Sequence, residues 1–349
     1  MCNISLDSVS ILRPLARGGE STVYLGEYEG CRLAVKIYNP NIRPSLNALR
    51  LFSSVCHEKV FVKLHSFGVD SASGCFYEIF EYLERGDLAD YILAGGDLSV
   101  SNLLRLISQL QVALRLLHGN NLIFADIKPQ NILIRDFEPL SVALCDFGEM
   151  MLADGSCISV DSFYGSLGFA APEAHAAVLD FKSDYWSLGM LIYWLLTKRN
   201  PIAGYFKEPF FLALSRRSGE VLPVPDNLPE GFAVLLKGLL TVDPRMRWGG
   251  EQLDRFLRGE RGIPVFYGDM APELELEIDW IDSTMPLRDR IKWKSAQFNS
   301  LDAEQWRGVG FSFREAVEWR AAGFCYKEAH NLRIKGFDPK GAVVAFKSV

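Results

Sequence analysis

In the stretch NLIFADIKPQNIL, residues 121–133, a carboxylate, an ammonium and an amide stand close together: Asp126, Lys128 two residues on and Asn131 five residues on. The run around them is apolar, suited to a buried strand or turn, so three polar groups there need one another or a ligand to compensate their burial. A second carboxylate, Asp146, follows in LCDFGE, and Lys36 stands in the apolar strand pattern LAVKIY. The plain alternative for Lys36 is a side chain snorkelling to the surface. Upstream, Arg17-Gly18-Gly19-Glu20-Ser21 is a turn between two strand patterns, where residues without bulk let backbone N–H groups approach phosphate oxygens. Taken alone, such a Gly pair implies no more than a hairpin.

The elements that must position these groups follow from periodicity. Residues 11–38 alternate as strands of a small antiparallel sheet, and SLNALRLFSSVCHE has helical spacing at Leu46, Leu49, Phe52 and Val55. VFVKLHSFGV and CFYEIFEYL are two further strand patterns. From Leu88 onward helices dominate: SNLLRLISQLQVALRLLHGN with Asn120 near its stop, DYWSLGMLIYWLL apolar nearly all round as a central helix is, and a pattern through FAVLLKGLL to about Arg258, after the loop PVPDNLPEG. Residues 272–294 alternate acid and apolar side chains, then basic ones, as a hairpin with charges paired across strands would. Beyond it a repeat emerges. Ala303, Trp306, Arg307, Gly310 and Phe311 recur as Ala316, Trp319, Arg320, Gly323 and Phe324, then as Ala329, Leu332, Arg333, Gly336 and Phe337. This period predicts three short helices, each closed by a Gly, stacked as an array.

Composition excludes several classes. With 349 residues, 49% hydrophobic and 23% charged, the chain can bury a large core in two or three units. A net charge of -6 argues against a general nucleic-acid or anionic-membrane binder, and residues 300–338 carry six basic and six acidic side chains, too balanced for an electrostatic nucleic-acid surface. The seven cysteines (Cys2, Cys31, Cys56, Cys75, Cys145, Cys157, Cys325) are scattered without metal-ligand spacing, which suits a reducing, cytoplasmic setting. The sequence has no signal-peptide pattern and no run of eighteen uncharged apolar residues.

In order and spacing, the Gly turn, Lys36, the Asp126 loop, Asp146 and the Pro172-Glu173 of AAPE resemble a protein kinase of the Ser/Thr type over residues 9–258. The resemblance implies an α+β, bilobal fold: N-lobe 1–85, C-lobe 86–258, linker or hairpin 259–300, and repeats 301–349. It implies ATP with Mg or Mn as cofactors and a protein substrate. By position, Lys36 would hold the α/β-phosphates, Asn131 and Asp146 would ligate the metal, Asp126 would accept the hydroxyl proton and Lys128 would contact the transferred phosphoryl. Ala16, Gly18, Val23, Ala34 and Leu133 would surround the nucleotide. Phe80 would guard the adenine pocket, with Glu81 and Leu83 supplying backbone hydrogen bonds and Asp87 reaching the ribose. Asp184 would brace the catalytic loop, and Arg247 would pair with Glu173. The combination with short helical repeats looks bacterial.

Two departures stand out. Asp126 follows Phe124-Ala125 where the family usually has His-Arg, so Phe124 is expected to pack in an apolar column with Phe52, Leu64 and Phe147, and activity would not depend on a phosphorylated activation segment. The helix Glu that pairs with the strand Lys falls at Ala48, and no Asp or Glu lies between Arg32 and Glu58. Lys36 therefore needs another acidic partner, Asp146 first and Glu20 second. Residues 149–170 hold Glu149, Asp154 and Asp161 and no Lys or Arg; charge complementarity would suit a basic substrate, while the plainer reading is a solvated acidic loop. Cys145 is expected to be packing. The rival reading is a pseudokinase-like scaffold that binds nucleotide or partners. The density of apolar anchors predicts that the repeats dock on the kinase lobe or bind a protein. RIKWKS offers Ser295 as a basic pseudosubstrate, less economical than a hairpin strand.

Overall fold

The computed structural model describes residues 4–55, 57–153, 157–159, 165–166, 168–175, 178–199, 224–225, 227–265, 293, 296, 298 and 300–346. The proposed hairpin over 272–294, apart from Trp293, lies outside these residues, as do Ser295, Asp154 and Asp161. Two units divide the chain, Met1–Asp269 and Met270–Val349.

Alternation in β3 (Cys31–Tyr38) sends Leu33 and Val35 to one side and Ala34, Lys36 and Tyr38 to the other. It lies in an antiparallel sheet with β1 (Ser10–Arg17), β2 (Ser21–Tyr28), β4 (Leu64–Val69) and β5 (Phe76–Glu81), in the order β1-β2-β3-β5-β4. The Leu33/Val35 face buries with Ile4, Val9 and Ile79, so the N-terminal segment covers it. On the other face the ladder sets Ala34 opposite Phe80 and Lys36 opposite Glu78. Helix α1 (Leu46–Val55) buries Ala48, Leu49 and Phe52.

In the helical part, α2 (Leu88–Leu93) is capped by Asp87, and α3 (Val100–His118) starts at Ser99, whose Oγ accepts from Asn102 N at 3.2 Å. α3 ends at Gly119, and Asn120 donates its side-chain amide to Leu116 O at 2.8 Å, satisfying a last-turn carbonyl. Between α3 and the next helices run β6 (Leu122–Ile123), β7 (Ile132–Phe137), β8 (Leu140–Leu144) and β9 (Met151–Leu152), paired β6 with β9 and β7 with β8. After α4 (Pro172–His175), the central α5 (Phe181–Thr197) begins in a capping box of Asp180 and Ser183. Its Gly189 lets a neighbour close in: a Cβ there would stand 2.8 Å from Leu240 Cδ2. The helical pattern toward Arg258 is two helices, α6 (Phe232–Leu239) and α7 (Gly250–Leu257), because Pro244 and the turn around Arg247 interrupt it.

In the second unit, α8 (Ser300–Gly308), α9 (Phe313–Ala321), α10 (Tyr326–Ile334) and α11 (Pro339–Phe346) each begin thirteen residues after the last. The sequence pattern predicted three; the fourth carries Ala342 in register with Ala303, Ala316 and Ala329, all fully buried. Trp293 and Phe298, one period before Trp306 and Phe311, join the same core. Gly310, Gly323 and Gly336 have φ of 82°, 83° and 85°, the left-handed conformation glycine adopts without strain. At each closure the Gly N–H bonds to the Arg carbonyl three residues back and the Phe N–H to the Trp or Leu carbonyl five back, so the repeated Arg-x-x-Gly-Phe is a helix stop. Arg333 lies 3.8 Å from the Phe311 ring centroid and donates to Gly310 O and Val309 O, at 3.1 and 3.0 Å. The third helix thus caps the first.

Candidate active site

The loop between β6 and β7 is held from below by Asp184 on α5. This buried carboxylate accepts from Phe124 N at 3.0 Å and Ala125 N at 2.8 Å, and meets His118 Nε2 at 2.7 Å. Those bonds fix Ala125 at φ 68°, where an alanine is strained, and the reversal turns Asp126 toward the cleft. Asp126 accepts from Lys128 Nζ at 2.6 Å and from Asn131 Nδ2 at 2.8 Å. Asn131 Nδ2 also donates to the Asp126 carbonyl, which leaves the Asn131 amide oxygen for another partner. The three polar groups of the loop therefore form one cluster.

Ser166 completes that cluster. Its hydroxyl donates to Asp126 Oδ1 at 2.6 Å and accepts from Lys128 Nζ at 2.7 Å. It lies forty residues from Asp126, and a hydroxyl beside a glycine is too common a pattern to single it out in sequence.

Across the cleft Lys36 Nζ makes an ion pair with Asp146, the first-choice partner, while the charge of Glu20 is felt by Glu149. Burial alone would lower the Lys36 ammonium; the carboxylates of Asp146 and Glu78 override it and hold it well above its usual range. Burial likewise opposes ionisation of Asp146, yet Lys36 keeps its carboxyl below the ordinary value. Asp146 has φ 62° and its side chain remains 43% exposed, open to a further ligand. Ala48 is buried and apolar, so α1 supplies no acid at that position. Glu149 is pushed up to about 7 by burial and then by Glu20, Asp126 and Asp146. Burial, followed by the Asp146 carboxylate, pushes the Cys145 thiol up, which leaves it a packing group.

Behind these groups Phe147 packs against Phe52 (4.0 Å between centroids), Phe80 (6.0 Å) and Phe124 (6.1 Å), and Phe61 joins at 6.3 Å. Val23 stands opposite Lys36 on β2, Ala34 shares the Lys36 face of β3, and Leu133 bridges Asp87; all three are half-buried. Ala16 and Gly18 lie exposed around the Gly turn, which Asn39 ties through Gly19 O at 2.7 Å. The Glu81 N–H is taken by Lys63 O and the Leu83 carbonyl by Gly86 N–H, leaving the Glu81 carbonyl and Leu83 N–H as candidate ligand contacts. The Glu81 side chain, unassigned from sequence, binds Arg135 at 2.9 Å and accepts from Lys63 N at 2.7 Å. Asp87 Oδ1 accepts from Asp90 N at 2.8 Å as the α2 cap, with the Ala89 N–H also turned to the carboxylate.

A family model described as the protein kinase domain matches residues 9–255. The chain belongs to the protein kinase family. A probable serine/threonine-protein kinase of Dictyostelium discoideum is 28% identical over 247 residues, 67% of this chain and 29% of that protein. The mitogen-activated protein kinase kinase kinase dlk-1 of Caenorhabditis elegans is 26% identical over 245 residues, 70% of this chain and 25% of that protein. The serine/threonine-protein kinase cds1 of Schizosaccharomyces pombe is 30% identical over 177 residues, 48% of this chain and 38% of that protein. The matched region spans well under half the length of each relative. Within this kinase domain, Glu173 and Arg247 form a buried bidentate pair, at 2.6 and 2.9 Å, that closes the base of the activation segment. No described helix is long and apolar enough to cross a membrane.

Proposed function

We propose that this kinase domain transfers the γ-phosphoryl group of ATP to a serine or threonine hydroxyl of a protein substrate. The observation that carries this reading is the hydrogen-bonded set Asp126, Lys128, Asn131 and Ser166: a carboxylate with its orientation fixed on three sides and a cation 2.6 Å away. Asp126 would accept the hydroxyl proton as that oxygen bonds to phosphorus, and Lys128 would neutralise charge on the transferred group. Lys36 would hold the α/β-phosphates; Ala16 and Gly18 would lie over them, Val23, Ala34 and Leu133 would flank the base, and Glu81, Leu83 and Asp87 would orient it and the ribose.

Members of this family generally use ATP with Mg²⁺. The donor set fits such a cation: Asp146 offers an accessible carboxylate and Asn131 a free amide oxygen, both hard ligands. When bound, the cation would neutralise phosphate charge. Glu20, Asp126 and Asp146 all act on Glu149, and this concentration of acids would favour a basic substrate. A cytoplasmic setting is in keeping with the free Cys31, Cys75, Cys145 and Cys325. The pairing of Lys36 with Asp146, two groups that would each face nucleotide, is what a scaffold without transfer would also retain.

Transfer from γ-labelled ATP to a generic basic protein, with Mg²⁺ or Mn²⁺, tests the reading. Asp126→Asn should cut transfer about 100-fold or more while sparing ATP affinity, and Asp146→Ala should lose both transfer and Mg·ATP binding. Wild-type rates in both variants would overturn the proposal. ATP binding by a wild-type protein that transfers nothing would establish the scaffold.

A further inference from the structure

On β5 the residues facing the cleft are Phe76, Glu78 and Phe80, so a carboxylate occupies a place between two phenylalanines where packing alone calls for an apolar side chain. Glu78 is fully buried, and neither carboxylate oxygen reaches full hydrogen-bond geometry with a partner; the equally buried and unpaired Tyr38 hydroxyl, on the Lys36 face of β3, is a neutral polar group beside it. Such a group is costly to keep unless it serves a neighbour. Its neighbour across the ladder is Lys36. Directly opposite residues of an antiparallel pair hold their Cβ atoms about 4.5–5.5 Å apart on one face. The ammonium itself leans toward Asp146: Tyr38 Oη, Lys36 Nζ and Asp146 Oδ1 gather around Gly148, where a Cβ would stand 3.2, 3.3 and 3.4 Å from them. One buried cation thus lies within reach of two acids, one bonded to it and one unbonded.

We propose that Glu78 is the positioning residue for Lys36, holding the ammonium in the cleft from the strand beside it when Asp146 turns its oxygens to a metal–nucleotide complex. The inference rests on the kinase reading for Asp146. It accounts for two facts together, the apolar Ala48 on α1 and the unpartnered carboxylate on β5. A fixed opposite strand needs no movement of α1 to bring the acid to the lysine. Lys36 passes between two carboxylates by rotation of its own side chain.

Full-length wild type, Glu78→Gln, Asp146→Asn and the double variant provide the test. Without nucleotide, Asp146→Asn should melt near wild type because Glu78 takes the ammonium. The double variant should melt about 5 °C or more below the sum of the single shifts, or fail to fold where both singles fold. With nucleotide, Glu78→Gln should raise KM for ATP about tenfold or more while leaving KM for the protein substrate unchanged, a split that a loss of general stability would not produce. Additive melting shifts would overturn the pairing, and an unchanged KM for ATP would overturn the positioning role. If the wild type transfers no phosphate, the functional reading fails, while the melts still decide whether Glu78 holds Lys36.

Discussion

Burial pushes the Glu78 carboxyl up to about 7, with Lys36 pulling against it, so near neutrality this side chain stands at the edge of ionising inside the protein. The unfolded chain would ionise it at the ordinary 4.5. Between those values the folded state holds a proton that the unfolded state has lost, and stability therefore falls as pH rises through the window, by at most about 1.4 kcal/mol per unit. Melting curves from pH 5 to 7.5 should slope downward more steeply in wild type than in Glu78→Gln; parallel slopes would refute this. Residues differ in how far sequence exposes them. Asp126, Lys128 and Asn131 share one short loop, so their spacing is visible in the chain itself. Glu78 meets Lys36 only through strand register, and Ser166 meets Asp126 only through the course of the activation segment, and neither relation leaves a local mark.

Elements here are fixed by single polar side chains reaching across gaps. Asp184 joins α3, the catalytic loop and α5 through three bonds, and it restrains Ala125 in its strained turn. Asp184→Ala leaves two buried N–H groups unpaired, so unfolding in urea should show a loss of about 3 kcal/mol or more. Transfer activity should fall further than stability does, since the Asp126 backbone is then free to relax. In the repeat unit Arg333 stacks on Phe311 and caps the end of α8. Arg333→Lys keeps the charge and loses the planar fork, and should cost about 1–2 kcal/mol of helical stability by circular dichroism, nearly as much as Arg333→Ala. Helix and strand positions were largely legible because their apolar periods are regular. The break between α6 and α7 was not, since Leu240 and Val242 continue the apolar run and only the turn around Pro244 ends it.

Across the whole molecule, distant segments are closed by contacts that no local pattern announces. Arg247 and Glu173 lie 74 residues apart, and Arg247 also caps the carbonyls of Thr241, Val242 and Lys182 while facing Trp186. Removing it strands a buried carboxylate, and Arg247→Leu should cost about 3–5 kcal/mol in chemical denaturation, with Glu173→Gln/Arg247→Leu recovering part of the loss. The protein kinase domain could be expected from motif order, because family spacing encodes it. The true extent of the repeats could not, since Lys294 and Gln297 replace the Arg and Gly that mark the other copies. Among the described residues of that unit, α9, α10 and α11 each open thirteen residues after the helix before, and Arg333 reaches back two copies to cap α8. The tail is thus a ruler with fixed graduations. Losing one or two residues anywhere along it would put all later tryptophans and alanines out of phase, while removing one whole graduation would leave a shorter ruler with its marks still aligned.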